Sequence, residues 1–176
     1  MGNHEFDYGM EQLIGEGGLV GQSDMQYLCC NFIDLETGEP VFNEYALETY
    51  GDVTVAYVGI ATPETLFKST PAYFQDENGE YIYGFCEGND GQNLYDRVQE
   101  SVDAAIAEGA DYVVSISHLG TEEGSDPYRS TDLIAATTGI DVVLDGHSHS
   151  VIESESVENA DGEEVLLSST GTKFAN

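Results

Sequence analysis

The sequence predicts an α/β layered domain with neighbouring parallel strands. From residue 90 onward a helical pattern, a strand, a second helical pattern and a second strand follow one another. That alternation places helices over a parallel sheet. The run 53–61 is apolar and β-branched and reads as an earlier strand. At 176 residues, 40% of them hydrophobic, the chain is long enough for one domain with a real core.

The elements follow in order. Residues 1–7 are expected to form a turn, with Asp7 as N-cap of a short helix over 8–14. Gly15, Gly17, Gly18 and Gly21 then break the pattern. Residues 27–33 read as a strand buried on both faces, 34–40 as a turn, and 42–49 as a short edge strand. Gly51-Asp52 is the turn of a hairpin into 53–61, which Pro63 ends. Residues 64–89 form a long irregular segment, a kind that is often functional or an insertion. Residues 90–108 are the strongest helix: Leu94, Val98, Val102, Ala105 and Ile106 share one face, Asp90 caps the start and Gly109 lies past the end. A strand at 112–117, a helix at 128–138 stopped by Gly139, a strand at 140–144 and a last strand at 165–169 complete the chain. There is no internal repeat.

Four Lys+Arg stand against 34 Asp+Glu, a net charge of −30. Such a surface is well solvated and does not bind nucleic acid in general, which needs cations against phosphate. It would also repel a phosphate-bearing substrate unless bound cations reversed the potential locally. Cys29, Cys30 and Cys86 are odd in number and include no CxxC, so neither a disulfide framework nor a cysteine zinc site is expected. No apolar run is long enough to span a membrane, and no signal peptide is visible before the polar stretch at the N-terminus.

All four histidines fall in three stretches: Gly2-Asn3-His4-Glu5-Phe6-Asp7, Ser117-His118-Leu119-Gly120 and Gly146-His147-Ser148-His149. Asn3 offers a hard oxygen, and the imidazoles offer nitrogen ligands or proton donors. Asp7 is close enough in sequence to orient His4. Ligands gather beyond the carboxyl ends of parallel strands, so His118, His147 and His149 are expected on one rim. Nitrogen plus oxygen donors suit zinc, manganese, iron, nickel or cobalt better than calcium. Each residue also has a plainer reading: His118 as a hydrogen-bonded loop residue, Asp7 as a helix cap, Glu5 as solvated and Phe6 as packing. Ser117, Ser148 and Ser150 lie near histidines, but no GxSxG elbow makes one of them a nucleophile.

GNHEFD, then SHLG after an apolar strand, then DGHSHS after another, resembles the 5′-nucleotidase / UDP-sugar hydrolase / 2′,3′-cyclic phosphodiesterase family of calcineurin-like metallophosphoesterases. The likeness runs from Gly2 to the chain end, where the stretch from Ser168 to Lys173 is similar to the close of that family's catalytic domain. It implies a layered α/β/β/α sandwich. It implies Asn3, His118 and His147 as ligands of one metal, His149 as a ligand of a second, and His4 as the catalytic histidine held by Asp7. The implied reaction is hydrolysis of a nucleotide or related phosphoester by in-line attack of metal-activated hydroxide. Two divalent ions, zinc, manganese or similar, are implied for the parent protein, and one or none for this chain.

The family's Asp-x-His strand end and its metal-bridging aspartate precede the first motif, and a nucleotide-binding domain follows the last. Neither is in this sequence, so residues 1–176 read as a partial catalytic domain lacking its N-terminal strands, weakly active or inactive alone. Asp52 lies in a turn after GNHEFD and does not take the bridging role. The resemblance implies an extracellular, cell-surface or periplasmic parent. The missing strands imply an exposed, unpaired sheet edge and apolar face, with self-association through that edge. Two other readings are a non-catalytic module holding one metal through Asn3, His118 and His147, and an acidic interaction module with structural histidines.

Overall fold

The computed structural model describes residues 1–172; Lys173, the last residue of the C-terminal motif, lies outside them. In chain order the elements are α1 (Met10–Ile14), α2 (Leu19–Gln22), β1 (Ile33–Asp34), β2 (Tyr45–Tyr50), β3 (Val53–Ala61), α3 (Thr65–Lys68), β4 (Tyr83–Gly84), α4 (Gln92–Ala107), β5 (Tyr112–His118), α5 (Ser130–Ala136), β6 (Val142–Asp145), β7 (Val151–Glu158) and β8 (Glu164–Thr170), with a few 3-10 turns between them.

Six strands form one sheet in the order β2-β3-β5-β6-β8-β7. The inner four, β3, β5, β6 and β8, are parallel, and the outer two pair antiparallel. The mixed α/β architecture with a parallel centre is therefore as the alternation predicts. The strand expected at 53–61 has those bounds, and Gly51-Asp52 turns the hairpin from β2.

The main core lies between the sheet and the helices α4 and α5. Leu94, Val98, Val102 and Ala105 of α4 pack with Leu133 and Ile134 of α5 against Ala56, Val58, Ile60, Val113, Val143, Val165 and Leu167. Two expectations for α4 need correction. Asp90 has a left-handed backbone (φ 52°) and does not cap; Gly91 precedes the first helical residue instead. Ile106 is 44% exposed, because it lies at the margin of the buried stripe.

A second, smaller core holds the N-terminal motif. Phe6 is fully buried and meets Phe32, Phe85 and Phe74 edge-on at centroid distances of 5.0, 5.3 and 5.4 Å. The Asn31 side chain sits between these parts, donating to the Ala61 and Phe85 carbonyls at 2.7 and 2.9 Å. The expected strand at 27–33 forms a ladder only at its last residue, Ile33, where β1 pairs with β4. Its backbone bonds go to separate partners, Cys29 N–H to the Asn43 carbonyl and Cys30 N–H to that of Gly59. Its predicted burial on both faces holds: Cys30 enters the main core and Cys29 the second. The expected cap of α1 is also corrected. Gly9, with φ 88°, precedes that helix, and Asp7 is engaged elsewhere.

β7 is an additional edge strand that the sequence reading misses. It is rich in glutamate and carries a register shift between Ile152 and Glu155, so its apolar residues do not keep a period of two.

The sheet face opposite α4 and α5 is apolar and partly open. Tyr112, Ile116, Leu144 and Leu166 lie on that one face by register and are exposed. No helix among the described residues is long and apolar enough to cross a membrane.

Phe6→Ala is expected to destabilise the chain by about 3–5 kcal/mol through cavity formation, whereas Ile106→Ala should change stability by no more than about 0.5 kcal/mol. Urea unfolding midpoints of the two variants check this; equal losses would show that the aromatic cluster is not an anchor.

Candidate functional site

The three histidine-bearing stretches meet at the carboxyl edge of the parallel strands. His118 is the last residue of β5, and Gly146 to His149 directly follow β6. Asn3, which is 3% exposed, comes to them from the N-terminal turn that Phe6 anchors, and its Oδ1 lies 3.0 Å from His118 Nε2. The His118 and His147 rings are 5.1 Å apart between centroids.

His118 is gripped closely. A Cβ on Gly2 would come within 3.1 Å of its ring, and a Cβ on Gly146 would lie 3.0 Å from its Nδ1. These two glycines let backbone approach the imidazole from the N-terminal turn and from the β6 loop. His147 and His149 both have left-handed backbones, with φ of 74° and 58°. Such conformations cost about 1–3 kcal/mol each in a non-glycine residue and cluster at functional loops.

One carboxylate locks two of the motif loops together. Asp145, at the end of β6, accepts the backbone N–H groups of Leu119 and Gly120 at 3.0 and 3.2 Å. Burial holds its carboxyl above the usual range.

Beside this rim stands His4. Its Nδ1 is 2.6 Å from Asp7 Oδ2, and the Ser69 hydroxyl donates to Asp7 Oδ1 at 3.0 Å. The His4 hydrogen bond holds the Asp7 carboxyl below its ordinary range, with Ser69 adding to the effect. His4 itself is exposed, so Nε2 is left for other partners.

Glu64, 4% exposed, forms the other wall. It takes hydrogen bonds from Lys68 Nζ at 2.9 Å and the Ser125 hydroxyl at 2.8 Å, and its Oε2 is 2.9 Å from His147 Nε2. Burial raises its pKa, but the bonds from Lys68, Ser125 and His147 outweigh that and leave it lowered.

Among the described residues, no three His, Cys, Asp or Glu side chains are arranged to hold a metal ion. The groups that converge are an amide oxygen, Asn3, and two imidazoles, His118 and His147. That donor chemistry fits a borderline divalent ion, though fewer than three charged or imidazole ligands come together.

Known proteins share both sequence and fold with this chain. A 2′,3′-cyclic-nucleotide 2′-phosphodiesterase/3′-nucleotidase of Yersinia enterocolitica is 27% identical over 94% of the chain. A 5′-nucleotidase of Bos taurus is 28% identical over 86% of it. In sequence the chain is thus similar to proteins that are nucleotidases and cyclic-nucleotide phosphodiesterases. In fold it matches the calcineurin-like phosphoesterase YfkN from Bacillus subtilis with a TM-score of 0.70, at 24% identity, over 96% of this chain and 53% of that one. No family model matches the chain. The chain spans 25% of the Yersinia relative and 23% of the bovine one, about a quarter of the length of each.

Within this 5′-nucleotidase-like fold, Asn3, His118 and His147 lie together, and His4 is paired with Asp7. His149 is exposed two residues beyond His147, near enough to act electrostatically on His118. Glu64, Ser69 and Asp145 are site residues that sequence reasoning passes over. Asp145 lies inside the DGHSHS motif, which was a usable signal; Glu64 and Ser69 sit in the irregular segment and carried none.

Burial, with the neighbouring His147 next in effect, lowers the His118 pKa from 6.5 to about 4. The unfolded chain therefore binds this proton first as pH falls, so stability is full above about pH 6.5 and declines toward about pH 4. Urea midpoints of the metal-free protein across this window should fall less steeply in His118→Gln; parallel curves would show that His118 is not the responsible group.

Proposed function

We propose that this chain carries part of the catalytic centre of a metal-dependent phosphoester hydrolase that acts on nucleotides or related phosphoesters. The observation that supports this best is the placing of the His4–Asp7 pair beside Asn3, His118 and His147. Asn3, His118 and His147 would hold one divalent ion, and in the parent protein His149 would contribute to a second. Ions such as zinc or manganese would supply water activation and neutralisation of phosphoryl charge when bound.

The chain's own residues then have distinct tasks. Asp7 accepts from His4 Nδ1, and in the imidazolium form, which the Asp7 carboxylate would stabilise, Nε2 can donate toward a phosphoryl or leaving-group oxygen. Ser69 holds Asp7 through its second oxygen. Asp145 fixes the backbone from which His118 and the His147 loop project. Residues 1–176 are read as a partial catalytic domain, and the parent protein as exported.

A second reading, a module holding a single metal without catalysis, is favoured by the lack of three converging His, Cys, Asp or Glu ligands among the described residues. Metal analysis by mass spectrometry after zinc loading and dialysis separates the two. A single ion, lost in His118→Ala/His147→Ala, is expected, with turnover of an aryl phosphate far below that of a complete two-metal enzyme. Loss of ligand-supporting groups alone costs about 10–100-fold. Strong zinc-dependent turnover that vanishes in His4→Ala would favour a complete site, and no retained zinc would sink the metal reading.

Self-association is also proposed, through the open apolar face rather than the β7 edge. β7 is acidic and irregular at one edge, a pattern that discourages strand pairing. Sedimentation should show dimers that Ile116→Glu/Leu144→Glu disperses; a monomer at high concentration contradicts it.

A further inference from the structure

We propose that Glu64 is the positioning residue for His147, holding its imidazole with the proton on Nε2 so that Nδ1 is left as the metal donor. This rests on the reading of His147 as a metal ligand. It goes beyond the motif residues, because Glu64 lies 83 positions away in the segment after β3.

The geometry carries the argument. Glu64 Oε2 is 2.9 Å from His147 Nε2, and both side chains are largely withdrawn from solvent, at 6% and 9% exposed. Lys68 and Ser125 already donate to the same carboxylate. Glu64 is therefore an acceptor, and the proton between it and His147 belongs to Nε2. Lys68 Nζ lies 3.3 Å from that same nitrogen and would favour the opposite tautomer if it donated there. Its bond to Glu64 is the shorter contact, at 2.9 Å, so the lysine is engaged by the carboxylate.

A metal-binding histidine needs a neutral ring with the right nitrogen bare, and a carboxylate on the other nitrogen supplies both conditions. The plainer role of Glu64 is structural: it ties Ser125 and Lys68 to the end of β3. That role predicts lost stability but no specific effect on the His147 ring.

The test uses the full chain, with zinc as the only added metal, in about 0.15 M salt to screen the acidic surface. Zinc affinity is read by calorimetry, and the His147 ring by its imidazole nitrogen resonances in the metal-free protein. Glu64→Gln is expected to weaken zinc binding about 10–100-fold and to shift the His147 resonances from one tautomer to a mixture. Ser125→Ala removes a different bond to the same carboxylate and should lower the unfolding temperature with little change in either readout. If Glu64→Gln does not fold, Glu64→Asp, which keeps the charge but draws it back, carries the same expectation. Wild-type affinity and unchanged His147 resonances in a folded Glu64 variant overturn the role of Glu64 and leave the metal reading standing. Equal zinc binding by wild type and His147→Ala overturns the metal reading, and this inference with it.

Discussion

Parallel pairing at the centre of the sheet is the constraint on which the rest depends. Parallel strands cannot be joined by tight turns, so β3, β5 and β6 are linked by connections that cross back over the sheet, and β8 is reached through antiparallel β7. Helix α4 makes that crossing from β3 to β5, and α5 from β5 to β6. All the carboxyl ends then fall on one side. Ala61, His118 and Asp145 end β3, β5 and β6, and the loops bearing Glu64, Gly120 and His147 leave from there. The N-terminal turn has no strand of its own in this sheet. It joins the rim through Phe6, whose aromatic neighbours come from three other segments. The site is thus two pieces brought together: one placed by sheet register, the other by a hydrophobic anchor.

Charge is distributed in a way that composition alone hides. Among the described residues the basic side chains are Lys68, Arg97 and Arg129. Arg97 is occupied by Glu44 at 2.8 Å and Arg129 by Asp132 at 2.6 Å. Lys68 stands at the rim, and even it is paired with Glu64. These three cations therefore do little to offset the net charge of −30 for an approaching anion. A bound divalent ion, as proposed above, would supply the positive charge that these side chains do not, and it would require neutral imidazoles. The burial that lowers the His118 pKa would serve that end.

Most of the sheet was legible in the sequence because its signals are local. The β-branched run of β3, the buried stripe of α4 and the order of helices and strands each lie within one segment. The placing of His118 and the His147 loop on one rim was legible too, once strand ends were taken as a common edge; Asn3 was put with them only through the family resemblance. What escaped depends on distant contacts. The 27–33 run is apolar enough for a strand, yet its N–H groups find partners in two different places. β7 lost its period at a register shift. Asp90 has the chemistry of a cap but a backbone that forbids it. Glu64 and Ser69 gained their importance only when α3 folded against the histidine loops, and an acid followed by a short helix does not announce its partner 83 residues on.

The open sheet face bears on the site as well as on association. Parallel sheets ordinarily have both faces covered, and here Tyr112, Ile116, Leu144 and Leu166 remain exposed on one. Burying side chains of this size is worth about 1.5–3 kcal/mol each, a pull toward any apolar cover that the acidic surface opposes. The upper end of this face opens into a cavity of about 640 Å³ lined in part by Met1, Gly2, Glu5, Tyr57 and Ile116. Gly2 and Glu5 belong to the turn that presents Asn3, and the Gly2 N–H is bonded to Glu5 at 2.9 Å. A cover on the sheet face would therefore press on the same turn that sets the distance from Asn3 to His118. The apolar face and the polar rim are two sides of one segment, so packing on one constrains chemistry on the other.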